Sequence, residues 1–73
     1  MYEIQRRQAQ IQDFQRKIDR ARYSGDRDSV RQIAYQMANV GLIPHRLLSI
    51  ANFITYLSPR YAANMLASAL RRL

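Results

Sequence analysis

Cysteine and tryptophan are absent from the 73-residue sequence, and glycine, proline and histidine are scarce. Without cysteine the chain has neither disulfides nor thiolate metal ligands, so hydrophobic burial alone must supply its core. The single histidine, His45, leaves no credible zinc site or histidine-dependent nucleophile, and the two isolated glycines cannot build a phosphate-binding loop. We therefore expect no enzyme activity, no metal and no cofactor.

Long hydrophobic runs are missing as well. The longest uncharged stretches, 32–45 and 47–59, contain polar residues and are shorter than the roughly 20 apolar residues that a membrane-spanning helix needs. The N-terminal residues are polar and lack the apolar segment of a secretion signal. The sequence therefore predicts a soluble protein with a cytoplasmic location and no membrane partner.

Apolar residues recur at helical spacing in separate segments of the chain, and no segment alternates with the period of a strand. Each boundary between segments carries residues typical of helix caps: Gly25 and Asp26, Gly41 and Pro44, Ser58 and Pro59. The sequence predicts an all-α fold, a small single-domain bundle of four helices at about residues 2–22, 27–40, 45–57 and 59–72.

Each predicted helix has one apolar stripe that we expect to face the core. The stripes are Ile4, Ile11, Phe14, Ile18 and Ala21; Val30, Ile33, Ala34 and Met37, with Val40 at the edge; Leu47, Ile50, Ala51, Ile54 and Leu57; and Ala62, Met65, Leu66, Ala69, Leu70 and Leu73. Leu48 and Phe53 widen the apolar arc of the third helix. This wide arc predicts that the third helix is central and the most buried element.

The formal net charge of +7 and the pI of about 10.9 indicate an anionic partner or surface. All five acids lie in residues 1–28, which carry a net charge of +2, whereas residues 29–73 have five arginines and no acid. In the first helix the acids stand one turn before bases, which predicts three pairs: Glu3 with Arg7, Asp13 with Lys17, and Asp19 with Arg22. The uncompensated charge therefore lies in the second part, and it suits a protein contact better than a phosphate track.

Arg7 interrupts the apolar stripe of the first helix between Ile4 and Ile11. One interpretation is that the first turns extend past the core and Arg7 reaches water. The other is that this end of the helix docks on a partner with acidic and apolar groups. Both interpretations stay open at the level of sequence.

Arginine and tyrosine are enriched in the hot spots of protein interfaces, and several of them lie off the predicted core stripes. Tyr35 and Tyr56 lie roughly opposite the stripes of their helices. An uncompensated basic stripe is predicted on the outer face of the last helix, formed by Arg60, Asn64 and Arg71 with Ala67 between them. The candidate partner-binding residues are Arg6, Arg7, Tyr35, Arg46, Tyr56, Arg60, Asn64 and Arg71.

Residues 36–50 partly fit a DNA-binding helix-turn-helix, with Gly41 as the turn glycine. Its apolar positions would be Val40, Leu42, Leu47 and Ile50. The recognition helix would expose His45, Ser49, Asn52 and Tyr56, with Arg46 as its only charge, which is poor for reading bases. A small basic nucleic-acid-binding protein with a degenerate helix-turn-helix is the alternative, and weak nonspecific nucleic-acid binding at low salt is expected. The capped helices disfavour a membrane-active peptide.

From its opening Met1-Tyr2-Glu3-Ile4-Gln5-Arg6-Arg7 to its closing Ala69-Leu70-Arg71-Arg72-Leu73, the chain resembles the small transcription regulators of lytic Xanthomonas phages. The resemblance spans the whole chain and rests on length, basicity, the absence of cysteine and the helical make-up. It implies a factor that binds the N-terminal region of the host RNA polymerase β′ subunit, displaces the sigma factor and suppresses termination. It also implies a location in the bacterial host cytoplasm.

Overall fold

A computed structural model describes the backbone of residues 2–73 and the side chains of residues 5–73. The helices are α1 (Tyr2–Ser24), α2 (Arg27–Asn39), α3 (Leu48–Leu57) and α4 (Pro59–Arg71), and a 3-10 turn (His45–Leu47) precedes α3. Residues 2–73 contain no strand, so the predicted all-α bundle is confirmed. The predicted bounds agree within three residues, and the largest difference is the 3-10 turn that replaces the expected start of the third helix.

The glycines end the first two helices as the sequence predicts. Gly25 has φ 69° and Gly41 has φ 81°, the left-handed conformation that glycine adopts without steric cost. After α2 the Leu42 amide donates to the Met37 carbonyl at 2.8 Å, and the Gly41 amide donates to the Ala38 carbonyl at 3.1 Å. These two bonds form a Schellman motif, which satisfies carbonyls that the helix end leaves free.

The starts of α2 and α4 are capped by side chains. Asp26 accepts hydrogen bonds from the Asp28 amide at 3.1 Å and from the Ser29 hydroxyl at 2.9 Å. Ser58 accepts from the Tyr61 amide at 3.3 Å, and Pro59 occupies the first turn of α4. The predicted cap residues of both helices are therefore confirmed. Pro44, in contrast, lies before the 3-10 turn with extended backbone, at ψ 142°, and not inside a first helical turn.

Helix α1 packs against α4 in the antiparallel direction. The Arg22 guanidinium donates to Asn64 Oδ1 at 3.1 Å, which shows that the end of α1 lies beside the first half of α4. The first described side chains of α1, residues 5–9, are all exposed, so α1 extends past the core. Arg7 is exposed with them, and its contact with a partner stays a prediction.

The core is formed mainly by α1, α2, α4 and the segment that follows α2. Its buried apolar residues are Phe14, Ile18, Ala21, Val30, Ile33, Ala34, Met37, Ala38, Leu42, Ile43, Ala62, Ala63, Leu66, Ala67 and Leu70. The stripe predicted for α2 is confirmed, with Ala38 added to it, and Val40 is exposed. The stripe predicted for α1 is confirmed from Phe14 to Ala21, Ile11 is partly buried, and the Ile4 side chain lies outside the described residues.

The prediction that the third helix is the most buried element is wrong. Thr55, 2% exposed, is the only buried residue of α3, whereas Ile50 and Leu57 of the predicted stripe are 52% and 62% exposed. The helix instead turns Ala51 and Thr55 toward the core. Small side chains allow close approach, and the Thr55 hydroxyl donates to the Ala51 carbonyl at 2.6 Å, so its burial leaves no unpaired donor.

The predicted orientation of the last helix is wrong in part. Ala62, Leu66 and Leu70 are buried as predicted, but Met65 and Leu73 are 40% and 58% exposed. The predicted outer basic stripe is not a continuous outward-facing line. Ala67, which lies within that line, is buried, and Asn64 is bonded to Arg22 of α1. Arg60, Asn64 and Arg71 are exposed as predicted, and Arg60 and Asn64 lie beside the end of α1.

Candidate protein-binding face

A cluster of large apolar side chains is exposed on the outward side of α3 and on the adjoining part of α4. We call it the α3–α4 face, and it consists of Leu47, Ile50, Phe53, Leu57 and Met65. Phe53 is the most exposed of these residues, at 64%, and Leu47 is the least exposed, at 39%. Single exposed apolar residues are normal on soluble proteins, but a cluster of this kind indicates a contact surface.

A narrow groove runs through this face between α3 and α4. Its volume is about 90 Å³, and all its lining residues are apolar: Ile43, Leu47, Ile50, Ala51, Ile54, Ala62, Met65, Leu66 and Ala69. The groove forms because only Ser58 separates the two helices, which run back alongside each other. Such a groove gives an incoming apolar side chain contacts on two sides.

Two arginines border the groove at one end. Arg46 immediately precedes Leu47 of the face, and Arg72 lines a shallow depression that shares Met65 and Ala69 with the groove. Because α3 and α4 are antiparallel, the start of α3 and the end of α4 lie at the same end of the pair. Residues 29–73 carry a net charge of +5 without any acid, so no carboxylate side chain of this part of the chain neutralises them.

The charges of α1 are arranged differently. Lys17 pairs with Asp13 at 3.3 Å, and Arg22 pairs with Asp19 at 3.0 Å. These two of the three predicted pairs are thus confirmed. The third, Glu3 with Arg7, lies outside the described side chains. Exposed pairs of this kind contribute little stability, but they leave α1 with less unpaired positive charge than the second part of the chain.

The predicted contact residues do not form one site. Arg6 and Arg7 lie on the exposed beginning of α1, and Tyr35 is exposed on α2. Arg60 and Asn64 lie beside the end of α1, and Arg71 is exposed in the last turn of α4. Of the two candidates in α3 and the turn before it, Arg46 borders the α3–α4 face, whereas Tyr56 lies on the side toward α2, with the Arg27 guanidinium 5.7 Å from its ring centroid.

All five residues of the α3–α4 face were missed as contact residues because their spacing along the sequence is that of core residues. Leu47, Ile50, Leu57 and Met65 lie on the predicted stripes, and Phe53 was counted in the wide apolar arc. The width of that arc was the available signal. A helix of this length with apolar residues on nearly every side cannot bury all of them in so small a domain. Arg72 had no signal beyond its charge.

The helix-turn-helix interpretation requires burial at positions where the structure shows exposure. Val40, Leu47 and Ile50 are 43%, 39% and 52% exposed, and of the four expected apolar positions only Leu42 is buried. Asn52, predicted on the exposed line of the recognition helix, has a buried side-chain oxygen beside α2. The segment therefore lacks the internal packing that holds a recognition helix in place.

In the described part of the chain, no three His, Asp or Glu side chains come together as a metal-binding group. No described helix is both long enough and apolar enough to span a bilayer. Comparison with family models, curated proteins and solved structures found no match to this chain.

Proposed function

We propose that this chain is a non-catalytic transcription regulator that binds bacterial RNA polymerase through the α3–α4 face. The observation that supports this proposal is the cluster of exposed apolar residues in the half of the chain that has five arginines and no acid. Aromatic, aliphatic and arginine side chains together are typical of the centre and rim of protein interfaces. A surface of this kind fits a partner that presents apolar groups beside carboxylates.

The choice of polymerase comes from the resemblance to small phage transcription regulators. On that basis the contact is the N-terminal region of the β′ subunit. Binding there displaces the sigma factor and inhibits initiation, and a chain that stays on the elongating enzyme suppresses termination. The site of action is then the cytoplasm of the bacterial host.

The two kinds of side chain on the face have different roles in such a contact. Phe53 and Ile50 contribute affinity, because their apolar area leaves water when a partner covers them. Arg46 and Arg72 lie at the edge, where charges mainly raise the association rate and make it sensitive to salt. A protein interface of this design weakens moderately with salt. Binding to a nucleic-acid backbone falls far more steeply, because each neutralised phosphate releases counterions.

Affinity capture with purified polymerase tests the proposal. Tagged protein is incubated with nuclease-treated core RNA polymerase, and we expect the wild type to retain the core enzyme and to compete with sigma. In single-round transcription we expect fewer initiation products and more read-through at a terminator. Ile50→Glu should abolish these effects, while Tyr23→Glu, an exposed position on α1 that is not among the candidate contact residues, serves as the matched control and should not.

Nucleic acid is the competing partner in this test. Retention of no polymerase, together with a gel shift of naked DNA or RNA at physiological salt, would contradict the proposal and favour the basic nucleic-acid-binding alternative. Equal loss of polymerase binding in Ile50→Glu and Tyr23→Glu would contradict the assignment of the α3–α4 face.

A further inference from the structure

Four apolar residues of the 3-10 turn and α3 have a spacing that suits contact with another helix. Leu47, Ile50, Ile54 and Leu57 are separated by steps of three, four and three residues. This is the alternation of the apolar seam in a coiled coil, where each side chain enters a hole between residues of the facing helix. Helix α4 lines one side of this seam but leaves it partly uncovered: Ile50 and Leu57 are more than half exposed, and Ile54 is only partly buried.

The groove limits the size of what can lie on the seam. Its far wall, from α4, presents Ala62 and Ala69 with Met65 between them. The groove is small, about 90 Å³, and is lined only by apolar side chains, so it suits an apolar side chain that enters from one helix. The segment 45–57 that forms the near wall is about 20 Å long at 1.5 Å per residue. The fitting occupant is one helix of about three to four turns.

The positive charge around the groove favours a helix of another protein over a second copy of this chain as the occupant of the groove. Arg46 and Arg72 lie at the same end of the groove, and residues 29–73 have no acid to pair with them. Two copies that met through this face would each bring a net charge of +5 from this part into one contact. Like charges across an interface oppose association, whereas carboxylates on the incoming helix would pair with both arginines.

We infer, on the basis of the proposed function, that the partner engages this chain with a single amphipathic helix. Its apolar stripe lies in the groove between α3 and α4, and its carboxylates cluster at one end, opposite Arg46 and Arg72. The recognition is of the helix-in-groove type, in which apolar anchors three and four residues apart supply affinity. The acidic end fixes the direction of the helix.

Synthetic helices test this inference without polymerase. Two peptides of about 18 residues, long enough to form helix in isolation, share one leucine stripe and differ only in glutamates or lysines at one end. Each is titrated into the full-length, isotope-labelled protein. We expect the glutamate peptide to shift the resonances of Ile50, Phe53, Leu57 and Met65, and to bind about tenfold or more tightly than the lysine peptide.

Variants then assign the binding to the groove. Ile50→Glu should weaken the glutamate peptide about tenfold or more, and Phe53→Ser provides a second test at a position that is largely exposed. The double variant Arg46→Gln with Arg72→Gln should remove most of the preference for glutamate over lysine. Tyr23→Glu should change neither measurement, and thermal unfolding shows whether each variant is folded.

Three results would overturn the inference. The first is equal binding of the two peptides, the second is shifts confined to α1 or α2, and the third is a wild-type dimer in sedimentation that Ile50→Glu dissociates. Failure of the proposed function is distinguishable from these results. If the glutamate peptide binds in the groove but polymerase is not captured, the proposed function is contradicted and the groove remains a helix-binding site. If polymerase is captured equally well by Ile50→Glu, the groove is not the binding site.

Discussion

Helices α2 and α3 make opposite use of their apolar residues. Helix α2 buries its stripe, including Val30 at 1% and Met37 at 0% exposure. Helix α3 is shorter and richer in apolar residues, yet Thr55 is the only one of its residues that is buried. The comparison shows that apolar content does not by itself determine burial. Burial depends on where the polar residues of a helix lie, because they determine how many of its faces can pack against the core.

In α2 the polar residues leave a single choice. Gln32, Gln36 and Asn39 occupy the outward side, so the stripe of Val30 and Ile33 must face the core. In α3 no charged residue marks an outward side. Its orientation is set by its neighbours: Ile43, buried before it, and Ser58, which joins it directly to α4.

The largest expected effect comes from truncating matched isoleucines on the two helices. Ile33→Ala on α2 removes a side chain that is 6% exposed and should lower the free energy of unfolding by about 2–5 kcal/mol. Ile50→Ala on α3 should cost less than about 1 kcal/mol, because its side chain is already half in water. Denaturant unfolding of both variants measures the difference. Equal losses would mean that α3 is buried in solution.

A smaller effect is expected at the turn that ends α2 and leads toward α3. Gly41→Ala places a Cβ on a residue with φ 81°, which should destabilise the protein by about 1–2 kcal/mol. No atom lies within 4 Å of the added Cβ, so the loss reports backbone strain alone. Gly25→Ala is a parallel test at φ 69°, where the added Cβ makes only an ordinary contact with Arg60, and it should lower the free energy of unfolding by a similar amount. A neutral Gly41→Ala would show that the Schellman motif is not maintained in solution.

The N-cap between α3 and α4 should have an effect of about 1 kcal/mol. Ser58→Ala removes the acceptor of the Tyr61 amide, and the melting temperature should fall accordingly. Ser58→Asn retains a capping side chain and should recover most of the loss. If the alanine and asparagine variants melt together, the hydroxyl does not cap α4.

The smallest expected change in stability sharpens the comparison most. Phe53→Ser on α3 should alter the free energy of unfolding by no more than about 0.5 kcal/mol, because Phe53 is 64% exposed. The same variant should reduce the binding of a fluorescent apolar dye to the native protein. Tyr35→Ser on α2 should leave dye binding unchanged. Undiminished dye binding in Phe53→Ser would mean that Phe53 does not contribute to the accessible apolar surface.

The sequence was sufficient for the four helices and for most of their ends, but not for the 3-10 turn that precedes α3. Gly25, Gly41 and Ser58 act through local backbone geometry, which depends on residues a few positions away, so their roles were predicted correctly. The stripe of α2 was also predictable, because its polar residues exclude every other orientation. Asp13 and Asp19 pair with bases one turn later for the same local reason.

The candidate site was not predictable, because it depends on tertiary packing. Periodicity assigned Ile50 and Leu57 to the core together with Ala51, and nothing local indicates that Thr55 packs there while Ile50 and Leu57 do not. The hydroxyl of Thr55 suggests an exposed residue until its bond to the Ala51 carbonyl is known. Likewise Arg60 and Asn64 were expected on an outer face, since the sequence does not reveal that α1 lies beside them.

The junction at Ser58 also affects the thermodynamics of binding. Its amide donates to the Ile54 carbonyl at 2.7 Å, its carbonyl accepts from the Ala62 amide at 3.0 Å, and its hydroxyl caps α4. A junction that is one residue long and hydrogen-bonded on both sides holds the two groove walls at a set spacing before any ligand arrives. The conformational entropy lost on association then comes mainly from the incoming helix, so its own helical propensity becomes the main determinant of how tightly it binds.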